Sequence, residues 1–232
     1  MKLSDKIIIG FFGFIFLYMI AAFTELRFKG ENTSFDTATA LIETLPISNI
    51  RYLRISDFGR NIVISSSTNP RIEVRSKTGE LLQELEYEIL EDTINITGFR
   101  IENTPRYNIH VFVPLTGFAG IEIQNSVVTI SDLTMPRISI KQIKGNITLY
   151  DKIHVGKLII DSEENSTCSI SNVHIDTLSA RLNSSNLFIY SQIPRMEGSL
   201  ENSSRLLHYG PGEIEFTKDG TSLINWIESE NH

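Results

Sequence analysis

The chain has 232 residues, 21 of them Lys or Arg against 28 Asp or Glu, for a formal net charge of −7. That length allows one domain with a short appendage, and the acidic balance lacks the positive field a phosphate backbone requires, which argues against nucleic acid as a partner. The single cysteine, Cys168, excludes an intrachain disulfide, a cysteine-rich zinc site and a Cys-x-x-Cys redox motif, so stability has to come from packing.

After a flank at residues 1–6, residues 7–23 read IIIGFFGFIFLYMIAAF without a charge. As a helix this run covers about 25 Å, at the lower edge of what spans a hydrocarbon core. Lys2, Lys6, Arg27 and Lys29 are placed to snorkel to the headgroups. The cationic N-terminal flank predicts that end inside and the bulk of the chain outside. A cleaved signal peptide is the rival reading and fits less well, because the run exceeds a usual apolar region and Ile20 would stand at the −3 position of a cut after Ala22. Residues 24–46 turn polar and are expected to form a spacer.

Beyond Ile47 the hydrophobic period is two. Ile62-Val63-Ile64, Ile72-Glu73-Val74, Ile94-Asn95-Ile96, the run from Ile109 to Val113, and Ile121-Glu122-Ile123 all predict strands. The stretch 80–91 has helical composition, but Leu85, Tyr87 and Ile89 alternate, which predicts a strand there as well.

An internal repeat decides the fold class. VVTISD from Val127, NITLYD from Asn146, TCSISN from Thr167, NLFIYS from Asn186 and RLLHYG from Arg205 align without gaps, their starts 19, 21, 19 and 19 residues apart. One inward column reads Val128, Ile147, Cys168, Leu187, Leu206, and a second reads Ile130, Leu149, Ile170, Ile189, His208. A second strand per repeat follows, at Ile138, Leu158, Leu178, Met196 and Ile214, with polar corners at Asn125-Ser126, Gly145-Asn146, Asn165-Ser166, Ser184-Ser185-Asn186 and Ser203-Ser204. Each first strand ends in a turn-favouring residue: Asp132, Asp151, Asn172, Ser191 or Gly210. A repeat of this length is expected to be one coil of a parallel β-helix (a β-solenoid), with equivalent strands stacked about 4.8 Å apart. In that stack a charge in an inward column would be buried without a partner, which explains the aliphatic columns. The head is expected over 47–228, with a tail at 229–232, and the segment after Ile214, with Trp226 and Ile227, is expected to cap one end.

Three passages, IEVRSKTGELLQELEYEILEDTINI, IHVFVPLTGFAGIEIQNS (Ile109 to Ser126) and RLLHYGPGEIEFTKDGTSLI (Arg205 to Ile224), together with the coils between them, resemble the auto-transporter adhesin head GIN domain family of Bacteroidetes envelope proteins. The resemblance covers roughly residues 50–224. The Ser-Gly-Ala corners usual in that family are Asn-Ser or Ser-Ser here. The resemblance implies a right-handed, single-stranded parallel β-helix with no catalytic residues to carry over. With the N-terminal segment it gives an all-β head on one transmembrane helix, held on the bacterial cytoplasmic membrane and facing the periplasm, or exported if the segment is cleaved. Its expected role is non-enzymatic, as an adhesion-type or structural module that engages envelope proteins, glycans or its own copies.

The residues that could carry chemistry read mostly as structure. Cys168 sits in an inward column as a small hydrophobe, and His208 stands in the other as a terminal core histidine. His110, His154, His174 and His232 show no metal-ligand spacing, and no phosphate loop, dinucleotide fingerprint or catalytic triad is present, so neither metal nor cofactor is expected. Asp132 and Asp151 stack one coil apart, the one carboxylate pair that a carbohydrate-active enzyme could use, but their column continues as Asn172, Ser191 and Gly210 and reads as turn chemistry. Tyr150, Tyr190 and Tyr209 share an outward column, a ladder that could contact a sugar or simply brace the sheet. The Asn-x-Ser/Thr sequons at Asn95, Asn146, Asn165, Asn183 and Asn202 read as corner asparagines.

Overall fold

The computed structural model describes residues 15, 16, 18, 19, 40–101, 107–210 and 212–227. Two compact units divide the chain, residues 1–38 and 39–232. In the first, Ile15, Phe16, Tyr18 and Met19 are helical with exposed side chains. The rest of the expected anchor, the spacer up to residue 39 and the tail at 229–232 lie outside the described residues. Among the described residues no helix is long and apolar enough to cross a membrane.

The second unit is all-β apart from a 3-10 turn at Leu82–Glu84. Its C-terminal part is a β-solenoid of five successive coils. The first strand of each coil, β9 (Val127–Ile130), β11 (Asn146–Tyr150), β13 (Thr167–Ser171), β15 (Asn186–Ile189) and β17 (Arg205–Tyr209), pairs in parallel with the next, and β19 (Leu223–Ile227) continues the row. The second strands, β10 (Leu133–Ile143), β12 (Ile153–Glu163), β14 (His174–Asn183), β16 (Arg195–Glu201) and β18 (Glu213–Lys218), do the same in the other sheet.

The register is the one the repeat dictates. Ile147 pairs with Val128 on one side and Cys168 on the other, and Cys168 with Leu187, which pairs with Leu206. Ile138, Leu158, Leu178, Met196 and Ile214 form the matching column of the other sheet. All of these except Ile214 are buried, since a one-residue slip would turn every aliphatic side chain to solvent. Cys168 is fully buried, and burial pushes its thiol up to about 12, so it is packed and inert. The long strands are interrupted where Pro136 faces Gly156: the ladder steps from Met135 opposite Val155 to Arg137 opposite Lys157. A Cβ on Gly156 would lie 2.7 Å from the Pro136 carbonyl oxygen, so only glycine fits this bend.

Left-handed residues recur at the corners as well. Asp132, Asp151, Asn172 and Gly210 all have positive φ, between 52° and 89°, and form a left-handed column after the first strands. Asn125, Lys144, Glu164, Ser184 and Asn202 form a second such column after the second strands, with Asn165 a further left-handed residue in its coil. Of the sequon asparagines, Asn165 and Asn202 are therefore true corners, whereas Asn146 begins β11, Asn183 ends β14 and Asn95 lies inside β6 (Thr93–Phe99).

The polar corners hide an inward column the alternation pattern did not reveal: Ser126, Ser166, Ser185, Ser204 and Ser222 are all buried. Ser166 Oγ donates to the Glu163 carbonyl at 2.5 Å and accepts the Gly145 N–H at 3.2 Å. Ser204 Oγ donates to Glu201 at 2.6 Å and accepts the Ser185 N–H at 3.1 Å, and Ser126 links Gln124 to the Phe58 N–H in the same way. Each hydroxyl thus satisfies backbone groups that the corner takes out of the ladder.

The N-terminal end departs from the coil pattern. The strands β1 (Leu41–Pro46), β2 (Tyr52–Ser56), β3 (Asn61–Ser67), β4 (Arg71–Ser76), β5 (Leu85–Leu90), β6, β7 (Tyr107–Pro114) and β8 (Gly120–Gln124) stack out of chain order, as β1-β4-β7-β3-β9 and β5-β6-β2-β8-β10. β1–β4, β4–β7 and β5–β6 are antiparallel. After β3 the chain runs out to the end of the stack and comes back, so β8 and β9 add to the far side of β2 and β3. Residues 41–46, expected as spacer, form the edge strand β1, and the expected strand over 80–91 begins only at Leu85, after the 3-10 turn. At the other end β19 extends its sheet instead of covering it, and leaves Trp226 51 % exposed.

Candidate groove at a tapering corner

The corner joining the two strands of each coil shortens along the stack. Ten residues separate Val128 from Ile138 and Cys168 from Leu178, and eleven separate Ile147 from Leu158, but only nine separate Leu187 from Met196 and eight separate Leu206 from Ile214. The later coils therefore lack the stretch that Leu133–Met135 and Ile153–Val155 form in the earlier ones. The β14–β16 ladder starts only at Thr177 opposite Arg195, so His174 and Ile175 are laddered on the β12 side alone.

The missing rungs leave a groove of about 790 Å³, lined among others by Asp151, His154, Asn172, His174, Tyr190 and Gln192. His154 and His174 occupy facing register positions, their rings 5.9 Å apart and tilted by 43°. His174 Nε2 lies 3.4 Å from Asp176 Oδ1, with both side chains about two-thirds exposed, a pairing that water screens heavily. Ser191 is buried and its Oγ accepts the Val173 N–H at 3.1 Å, fixing the groove floor. Side-chain amides, imidazoles, a carboxylate and one aromatic face make this wall suited to a hydroxyl-rich ligand. Among the described residues no cluster of three or more His, Cys, Asp or Glu is poised for a metal ion.

Of the tyrosine ladder, the structure brings Tyr190 and Tyr209 together, ring centroids 5.1 Å apart, with Tyr190 on the groove wall. Tyr150 faces Ser171 on the intervening rung and so stands apart from the pair. Asp132 and Asp151 do neighbour one another, the Asp132 N–H donating to the Asp151 carbonyl at 3.1 Å, but through backbone and from left-handed corners. His154 and His174, which show no metal-ligand spacing in the sequence, lie twenty residues apart, one repeat length, and that period is the signal that joins them.

Two other histidines are structural. His110 donates to or accepts from Ser65 Oγ at 2.8 Å and stacks on Phe112 at 3.9 Å, and burial pulls its pKa down to about 4. Beside it Glu73 is buried: burial raises its pKa, but hydrogen bonds and charge from Arg75 and Arg71 outweigh that and hold it below the usual value. His208 is buried, its pKa lowered by burial, and meets Trp226 edge-on at 4.6 Å. Its Nε2 has no hydrogen-bond partner among the described residues.

No protein-family profile matches the sequence, and no curated protein matches it. Solved structures do. The fold is that of a putative adhesin from Bacteroides fragilis, 11 % identical, TM-score 0.55, covering 81 % of this chain and 97 % of that one. A putative adhesin from Parabacteroides merdae aligns at 9 % identity and TM-score 0.48 over 82 % of this chain and 96 % of its own. A putative lipid binding protein from Parabacteroides distasonis aligns at 14 % identity and TM-score 0.45, over 82 % and 97 %. At 11 % identity the likeness to the Bacteroides fragilis protein is one of fold.

Proposed function

We propose that the chain is a non-enzymatic, adhesion-type module of a bacterial cell envelope, a head GIN-like right-handed β-helix that residues 7–23 tether to the cytoplasmic membrane on its periplasmic side. The groove, with Tyr190 and Tyr209 at its margin, is the surface through which it engages an envelope glycan or protein. The observation that carries this reading is the division of labour at the corner. The two stacked carboxylates, Asp132 and Asp151, sit at turn positions with positive φ and meet through backbone, and of the two only Asp151 borders the open, polar groove. The adhesin name of the Bacteroides fragilis structure and the uncharged run at 7–23 support it.

The test uses the full chain in a bacterial host. The reading expects sedimentation with membranes, release by detergent, and digestion of the head by protease added to spheroplasts. A head protected in spheroplasts would overturn the topology. Polysaccharide turnover that disappears in Asp132→Asn or Asp151→Asn would overturn the non-enzymatic reading in favour of a carbohydrate-active enzyme.

A further inference from the structure

The outer face of the nine-stranded sheet carries a hollow far from the groove in sequence. One outward row reads Thr93, Tyr52, Gly120, Ser139 in direct register across β6, β2, β8 and β10. Gly120 leaves a gap in that row which no other residue could fill in place, since a Cβ there would lie 2.9 Å from the Ser139 carbonyl oxygen and 3.6 Å from the Tyr52 ring. The result is a depression of about 280 Å³ with Gly120 as floor and Tyr52, 43 % exposed, as wall, near the lower size limit for small-molecule sites.

The adjoining outward row is a charge ladder: Arg54, Glu122, Lys141, Asp161, Arg181. Its outer members pair off. Arg54 reaches Glu122 with Nε and Nη2 at 3.0 and 2.8 Å, and Arg181 reaches Asp161 at 3.0 and 3.4 Å. Lys141 stands between two carboxylates already engaged on their far sides and has no ion-pair partner of its own among the described residues. On a chain of net charge −7, the rim of this hollow therefore presents an uncommitted ammonium beside an aromatic face, with the Ser139 hydroxyl and the Glu122 carboxylate to meet hydroxyl groups.

We propose that this hollow is a second binding site, for a saccharide unit that carries a carboxylate. The apolar face of the sugar ring lies against Tyr52, its carboxylate accepts from Lys141 Nζ, and its hydroxyls meet Ser139 and Glu122. A neutral sugar would leave Lys141 unanswered, and a simple anion would leave the Tyr52 wall unused; the pairing of an aromatic face with one cation fits a uronate. The site is separate from the groove and stands whether or not the groove binds anything.

The experiment titrates the full chain in detergent micelles with a glucuronate-containing oligosaccharide and, in parallel, with its neutral glucose counterpart. The acidic ligand is expected to bind more tightly. Lys141→Gln should weaken the acidic ligand roughly tenfold or more, the effect of losing a charge-assisted hydrogen bond, and leave the neutral one unchanged. Tyr52→Leu should weaken both. Ser139→Tyr, at an exposed strand position, should block the hollow without disturbing the fold, whereas Tyr190→Ala, in the groove, should leave glucuronate affinity as it was. Equal affinity for the two ligands, unchanged glucuronate affinity in Lys141→Gln, loss only in Tyr190→Ala, or no binding at millimolar ligand would each overturn the proposal.

Discussion

The coils from Val127 onward and the end built from residues 41–114 bury the same aliphatic side chains by different wiring. In the coils each inward residue rests on one about 20 positions away, as Ile147 rests on Val128 and Cys168. At the N-terminal end β3 pairs with β9 so that Ile62 meets Val128, 66 positions on, and antiparallel strands close the edge. A solenoid needs such a departure: identical coils would present an endless pairing edge, and the antiparallel strands with their acidic residues Glu86 and Glu88 on β5 make that edge a poor template for another chain.

Deep burial against few-sided contact is the sharpest point at which to break this comparison. Leu187→Ala, at the centre of a column with neighbours above and below, is expected to cost about 2–5 kcal/mol of stability in urea unfolding. Ile89→Ala, on edge strand β5 with 48 % exposure, is expected to cost less than about 0.5 kcal/mol. Comparable losses at both sites would mean that the two regions do not differ as described. The corner serines come next. Ser166→Ala leaves the Gly145 N–H without its acceptor, which is expected to cost about 1–3 kcal/mol.

Acid should act on the N-terminal end through His110. Its folded pKa is lowered to about 4 from the ordinary histidine value of 6.5, so between those pH values the unfolded chain binds more protons and stability falls as pH falls. The loss begins near pH 6.5 and levels off near pH 4. His110→Gln should flatten that part of a stability-versus-pH curve, with amide exchange in β4 and β7 reporting the change; an unaltered slope would remove His110 from the account. Smallest is a gain: Lys144 holds a φ of 52°, and Lys144→Gly should stabilise the coils by about 0.5–1 kcal/mol in thermal unfolding.

What could be read in the sequence follows the same division. Where the spatial neighbour lies one period away, alignment of VVTISD with its successors gave both columns and their register, down to Cys168 between Ile147 and Leu187. Where the neighbour lies at no fixed period, 35 positions from Leu41 to Ser76, 41 from Leu53 to Ile94 and 66 from Ile62 to Val128, alternation marks the strands but nothing marks their partners, so the out-of-order end, β1 in the expected spacer and the antiparallel edge do not show in the sequence. The serine column was missed because Ser126 and its counterparts look like surface turn residues; only the inward-pointing corner makes a hydroxyl the buried choice. The groove depended on outward histidines and on corners shortening by one or two residues, differences that matter only once the coils are stacked.

In-register stacking can be measured directly by crosslinking. Thr148→Cys with Ser169→Cys places two outward thiols on facing positions of β11 and β13, within the Cα separation a disulfide tolerates, while Thr148→Cys with Ser171→Cys is offset by two residues. Mild oxidation of the folded protein followed by peptide mass mapping should find the first pair joined and the second largely free. Equal yields, or preference for the offset pair, would contradict the parallel register from which the columns, the corners and both binding surfaces are built.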